Sequence, residues 1–217
     1  MESYGGGVFT FLICPPPLFS EIIKINHLRA QAARFDVYAT TAAAHLTREA
    51  YRILSRIDAI SLDEWAESKP SSRDDWLLAG KAYQAAVTLY CISSLQSQSV
   101  LPTDSAPLSA RRAADARFLE TVLGEALPSP KINRYMLWPL VVLGLEAVRS
   151  GPATRRFVGN QLAEMSRFVG THAPLAAMAV LERFWASGGS RWDECFDRPY
   201  AFVIQIAIDM SKMKPHS

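Results

Sequence analysis

Three carboxylates crowd into a short stretch near the end of the sequence: Asp193, Glu194 and Asp197, flanked by Trp192, Cys195 and Arg198. Paired carboxylates suit general acid–base chemistry, in which one group is held protonated while the other stays ionised. The same pattern also suits a helix N-terminus closed by an Arg–Asp clamp, because a carboxylate placed there accepts from free backbone N–H groups. This second reading is the favoured one. Cys195 would need a base at hand to become a thiolate nucleophile, and no histidine lies near it in sequence.

His27, His45, His172 and His216 share no short spacing with one another or with Cys14, Cys91 and Cys195. Zinc sites draw four N or S ligands from closely paired positions, so each histidine is expected to face solvent or to be satisfied in a half-buried place. His45 and Glu49 stand one helical turn apart, the spacing of a surface contact. Gly5-Gly6-Gly7 is followed by neither a helix nor Lys-Ser/Thr, so no phosphate loop is present there. Two basic helix faces, Arg111-Arg112-Arg117 and Arg155-Arg156-Arg167, could meet phosphate or an acidic partner; a solvated face is the commoner meaning. Trp138, Phe184, Trp185, Trp192 and Tyr200 could line an apolar effector pocket, against the default that aromatics at helical spacing supply burial. No catalytic residue, metal or cofactor is assigned.

The whole chain bounds these possibilities. Its 217 residues suffice for one domain with a substantial core, and its net charge of +2 argues neither for nucleic acid nor for a membrane surface. Three scattered cysteines point to a reducing compartment, nucleus or, as the alternative, cytoplasm. The longest apolar runs, 8–14 and 136–145, fall short of the roughly 20 residues a membrane span requires.

The elements that must position these residues are helical. Leu18, Ile22, Ile25 and Leu28 make one stripe over 18–33, with Pro17 suited to the first turn. Leu46, Ala50, Ile53, Leu54 and Ile57 make another over 40–57. Ser61 and Glu64 match a capping box that opens a short turn carrying Trp65. The spacing predicts further helices over 73–95, 109–123, 153–169, 174–187 and 200–213, and one around Trp138 with Pro139 at its kink or first turn. On the 109–123 helix, Ala114, Phe118 and Val122 are placed inward and Arg111, Arg112 and Asp115 outward. The polar stretch 93–107 reads as an exposed loop. The fold class is therefore all-α, an irregular array of seven to nine helices, with helical hairpins packed around one core. Residues 1–12 are expected as a disordered or extended tail and 13–217 as the helical domain, organised around the segment 134–203.

Two stretches resemble the regulatory domain that follows the zinc-cluster DNA-binding module of fungal-specific transcription factors. One is Cys14-Pro15-Pro16-Pro17-Leu18 with Ile22, Ile25 and Leu28; the other is Trp138-Pro139-Leu140 with Gly144 and Glu146, then Phe184-Trp185, Trp192-Asp193 and Asp197-Arg198-Pro199-Tyr200. The resemblance spans about residues 12–203 and implies a transcription regulator for a metabolic or secondary-metabolite gene set in a fungus. It further implies a nuclear protein that works through a protein partner or a small-molecule effector, with a homodimer possible. Trp138, Glu146, Trp185, Trp192 and Tyr200 are its candidate effector-pocket residues. The departure is in the cysteines: a binuclear zinc cluster needs six thiolate ligands, and this sequence has three, far apart. Direct sequence-specific DNA binding through that module is excluded for the chain as given, which is then a truncated relative, a mispredicted gene product, a partner protein or a domain recruited elsewhere. The alternative is an enzyme of cyclase or isomerase type, which needs a deep cavity lined by Trp138 or Trp192 with an acid or base inside.

Overall fold

The computed structural model describes residues 14–34, 40–69, 72–198 and 200. Among them the chain forms nine α-helices, one 3-10 turn and no strand. In order these are α1 (Pro16–Ala32), α2 (Thr40–Asp58), α3 (Leu62–Glu67), α4 (Arg73–Ser97), α5 (Ala106–Ala126), the 3-10 turn Asn133–Tyr135, α6 (Leu137–Ser150), α7 (Pro152–Val169), α8 (Ala173–Ser187) and α9 (Trp192–Cys195). The all-α array expected from the sequence is the one that forms. The predicted extended tail and all but Tyr200 of the predicted last helix lie outside the described residues.

Helix starts and stops follow local chemistry. Prolines occupy the first turns of α1, α5, α7 and α8, where a missing N–H costs no helical bond. Pro139 likewise falls in the first turn of α6, so that helix needs no kink. Gly170 and Gly188 end α7 and α8 with φ of 69° and 71°, left-handed values that glycine adopts without strain. The stripes read from α1 and α2 are buried as expected, Leu18, Ile22, Ile25 and Leu28 on one and Leu46, Ala50, Ile53, Leu54 and Ile57 on the other.

The organising element differs from the expected one. Helix α4, rather than the segment 134–203, is the axle of the fold: it packs against α1, α2, α3, α5, α6 and α9. From Ala79 to Ser97 every residue except Lys81 and Gln84 is buried. Small side chains make this possible, since Ala79, Gly80, Ala82, Ala85 and Ala86 let neighbouring backbones approach. A Cβ on Gly80 would already sit 3.2 Å from Leu62 and Trp65.

Three local readings are corrected by this arrangement. The polar stretch 93–107 is an exposed loop only in part: Ser99 and 102–104 are exposed, but α4 runs on through Ser97, and Ser93, Ser94, Gln96 and Ser97 are buried with Val100 and Leu101. Three of those side chains find partners inside: Gln96 donates to the Pro102 carbonyl at 2.9 Å, Ser93 Oγ to the Tyr90 carbonyl at 3.5 Å, and Ser97 Oγ accepts from the Asp193 N–H at 3.3 Å, while Ser94 Oγ is buried with no hydrogen-bond partner. Helix α5 is rotated from its predicted face, burying Leu108, Arg112, Ala116, Leu119, Val122, Leu123 and Ala126 and leaving Ala114 exposed and Phe118 47% exposed. Ser61 precedes α3 without making a side-chain cap.

Candidate functional site

The aromatic residues converge as the sequence suggests, and they converge on each other. Trp138 from α6 stacks on Tyr83 of α4 at a centroid distance of 6.0 Å and meets Tyr90 edge-on at 6.0 Å. Tyr90 meets Trp192 of α9 at 4.6 Å, Trp192 meets Phe196 at 4.7 Å, and Phe196 meets Tyr200 at 6.3 Å. Trp138 and Trp192 are 1% and 2% exposed. Both therefore act as packing, each ring taken up by neighbouring rings. Trp185 is half-buried and donates its indole N–H to the Gly144 carbonyl at 2.9 Å, tying α8 to α6. The Tyr200 hydroxyl donates to Asp197 at 2.9 Å and accepts from Arg183 at 3.4 Å. Four of the five candidate effector-pocket residues thus belong to the seam of α4, α6, α8 and α9 with the strand of chain behind it. The fifth, Glu146, lies elsewhere.

The acidic loop is built as a clamp. The Glu194 carboxylate reaches back to accept from the backbone N–H groups of Ser190 (2.9 Å) and Arg191 (3.1 Å), which holds its carboxyl below the usual range. Asp193 is gripped by the Arg29 guanidinium of α1 and by the Gln98 amide at 2.6 Å, while its own N–H donates to Ser97 Oγ at 3.3 Å. Arg191 closes the loop by donating to the Ser97 carbonyl at 2.5 Å. Of the three carboxylates Glu194 caps and Asp193 makes the clamp, whose arginine comes from α1, far off in sequence, while Asp197 accepts from the Tyr200 hydroxyl. Cys195 is buried, which pushes its thiol up to about 12 and keeps it from acting as a thiolate at neutral pH.

The histidines stay apart. His27, His45 and His172 are each exposed on separate helices or turns. Among the described residues no group of three or more His, Cys, Asp or Glu side chains could hold a metal ion. Glu49 is taken by Arg56 at 2.9 Å and Arg52 at 3.5 Å. No helix among the described residues is long and apolar enough to cross a membrane.

Glu146 belongs to the ion pair that, among the described residues, has both of its side chains buried. It accepts two 2.7 Å hydrogen bonds from Arg112 of α5, whose remaining Nη1 donates to Gln96 Oε1 of α4 at 2.8 Å. Glu146 is 1% and Arg112 5% exposed. Three helices are thereby joined at one bidentate pair. Above it opens a cavity of about 420 Å³ between α5, α6 and the first turn of α7. Sequence reading grouped Arg112 with the solvated arginines, since no periodicity argument puts an arginine inward. The available hint was Glu146 itself, a lone carboxylate in an otherwise apolar run from Leu137 to Val148, which must find a cation if buried.

The described geometry can be set against known proteins. The family described as fungal specific transcription factor domain matches residues 12–202. The phomenoic acid biosynthesis cluster-specific transcriptional regulator of Leptosphaeria maculans is 53% identical over 199 residues, which make up 92% of this chain and 37% of that protein. The chain thus spans little more than a third of the length of the relative it matches. No solved structure matches it.

Proposed function

Because the chain belongs to the fungal specific transcription factor domain family, we propose that it is the regulatory part of a transcription regulator that controls a biosynthetic gene set. The observation that carries this reading is the 53% identity across 92% of the chain to a cluster-specific regulator. At that level the buried aromatic seam and the three-helix polar joint are expected to be shared features of one fold. The work is nuclear and is exerted through a protein partner or a small effector, with no sequence-specific DNA contact made by these residues and no membrane involved. A homodimer is compatible with such a role.

The packing supports regulation over catalysis. An enzyme of cyclase or isomerase type needs Trp138 or Trp192 at the wall of a cavity, and both are filled in by neighbouring rings. The test is transcriptional. Deleting the coding region in its fungal host and sequencing RNA should show the transcripts of one biosynthetic gene set fall together. Unchanged transcripts across all such sets would overturn the reading.

A further inference from the structure

The cavity above the Arg112–Glu146 pair has more positive charge than its own side chains answer. Arg112 and Glu146 neutralise one another at the floor. Glu120 accepts from the Thr154 hydroxyl at 2.9 Å, at the first turn of α7, a turn with no acidic residue of its own. That leaves Arg149 in the last turn of α6 and Arg117 on α5, both lining the cavity and neither bonded to a carboxylate among the described residues. Three guanidinium groups thus face two carboxylates. Partial desolvation lowers Arg149's hold on its proton, Arg112 lowers it further, and only Glu146 opposes them.

We propose that this cavity binds a small organic acid, its carboxylate drawn to Arg149 with Arg117 as the second cation. The volume of about 420 Å³ lies within the roughly 300–1,000 Å³ typical of small-molecule sites and is far larger than an inorganic anion fills. Ala113 and Ala116 supply an apolar wall for the body of the acid, and Thr103 and Ser109 offer polar contacts beside it. A guanidinium favours a carboxylate because its planar donors match the two oxygens. The ligand would touch α5 and α6 at once, next to the pair that joins them to α4, so its binding would be felt where three helices meet. Its meaning as an effector rests on the regulatory reading above; the binding itself does not.

The experiment uses the intact chain and two acids, 4-hydroxybenzoate and octanoate, each beside its primary amide, with inorganic phosphate as a third arm. Ligand-observed NMR at millimolar concentration gives the affinities. At least one acid should bind, with its amide and the Arg149→Gln variant each weaker by about tenfold or more and Arg149→Lys retaining part of the affinity. Arg149 is exposed at the rim, so its thermal midpoint should match the parent and certify the fold. Neither acid binding, an amide binding as well as its acid, or binding indifferent to Arg149→Gln would each overturn the proposal. Phosphate binding as tightly as either acid would overturn the organic-acid assignment. Because binding is read in solution, its failure and the failure of the transcript test are separate outcomes.

Discussion

Arg112 and Glu146 face each other across the seam of α5 and α6 through two parallel 2.7 Å hydrogen bonds, Nε to Oε2 and Nη2 to Oε1, both side chains shut off from water. Two charges in such a place are tolerated only because each is the other's partner; one left alone keeps the full desolvation cost. Arg112→Met should therefore lose about 3–5 kcal/mol of unfolding free energy, and Glu146→Leu a similar amount. The double variant should lie much closer to the parent than the sum of the two, since no orphan charge remains. Urea unfolding of all four proteins checks this, and additive losses would remove the pair from the account.

How much of this was legible beforehand depends on which force sets each residue. Leu18, Ile22, Ile25 and Leu28 were readable because apolar spacing alone decides a face that packs on one side. Phe118 and Arg112 were not: an apolar ring is turned outward and a cation inward on α5 because Glu146, 34 residues away, supplies the counter-charge. Helix α4 was readable as a helix, yet its rank as the axle was not, since a helix covered on every side shows no polar face to mark its centre. The aromatic seam was legible by type, and its role as packing follows from ring-to-ring distances that no spacing reveals.

Two glycines in helices separate close approach from mere absence of a side chain. A Cβ on Gly144 would stand 2.4 Å from Leu181 Cδ1, and Leu181 is buried in the α6–α8 contact. A Cβ on Gly124 meets nothing within 4 Å. Gly124→Ala should raise stability by up to about 1 kcal/mol through helix propensity. Gly144→Ala should lower it by about 1 kcal/mol, as overpacking of roughly 1–3 kcal/mol outweighs the same propensity gain. Thermal unfolding of the two variants should shift the midpoint in opposite directions.

The three thiols should be silent in the folded protein. Cys14, Cys91 and Cys195 are free and buried, and burial raises each thiol above its ordinary value, Cys195 to about 12. A thiolate-dependent reagent such as 5,5′-dithiobis(2-nitrobenzoate) at pH 8 should count fewer than one thiol per chain in buffer. After unfolding in guanidinium it should count all three. Rapid labelling of one cysteine in buffer would show that the segment carrying it is not packed as described.

The α9 clamp predicts a dependence on acidity whose sign follows from Glu194. Its carboxyl is held below the ordinary 4.5 by the backbone N–H groups of Ser190 and Arg191. The folded state therefore binds the proton less readily than the unfolded one, and the stabilisation is present above about pH 4.5 and lost as pH falls through the lowered folded value. Asp115 acts in the opposite direction: burial raises its carboxyl despite Arg111, so its contribution improves on acidification. Glu194→Gln should consequently be less stable than the parent at pH 7, with the gap closing towards pH 3 as the parent's carboxylate takes up its proton. Asp115→Asn should show the opposite sign: at least as stable as the parent at pH 7, with that advantage shrinking towards pH 3 as the parent's buried carboxylate takes up its proton. Unfolding midpoints of both variants and the parent between pH 7 and pH 3 decide it: a Glu194→Gln deficit that persists unchanged into acid would mean that the carboxylate's charge has no part in holding α9 against α4.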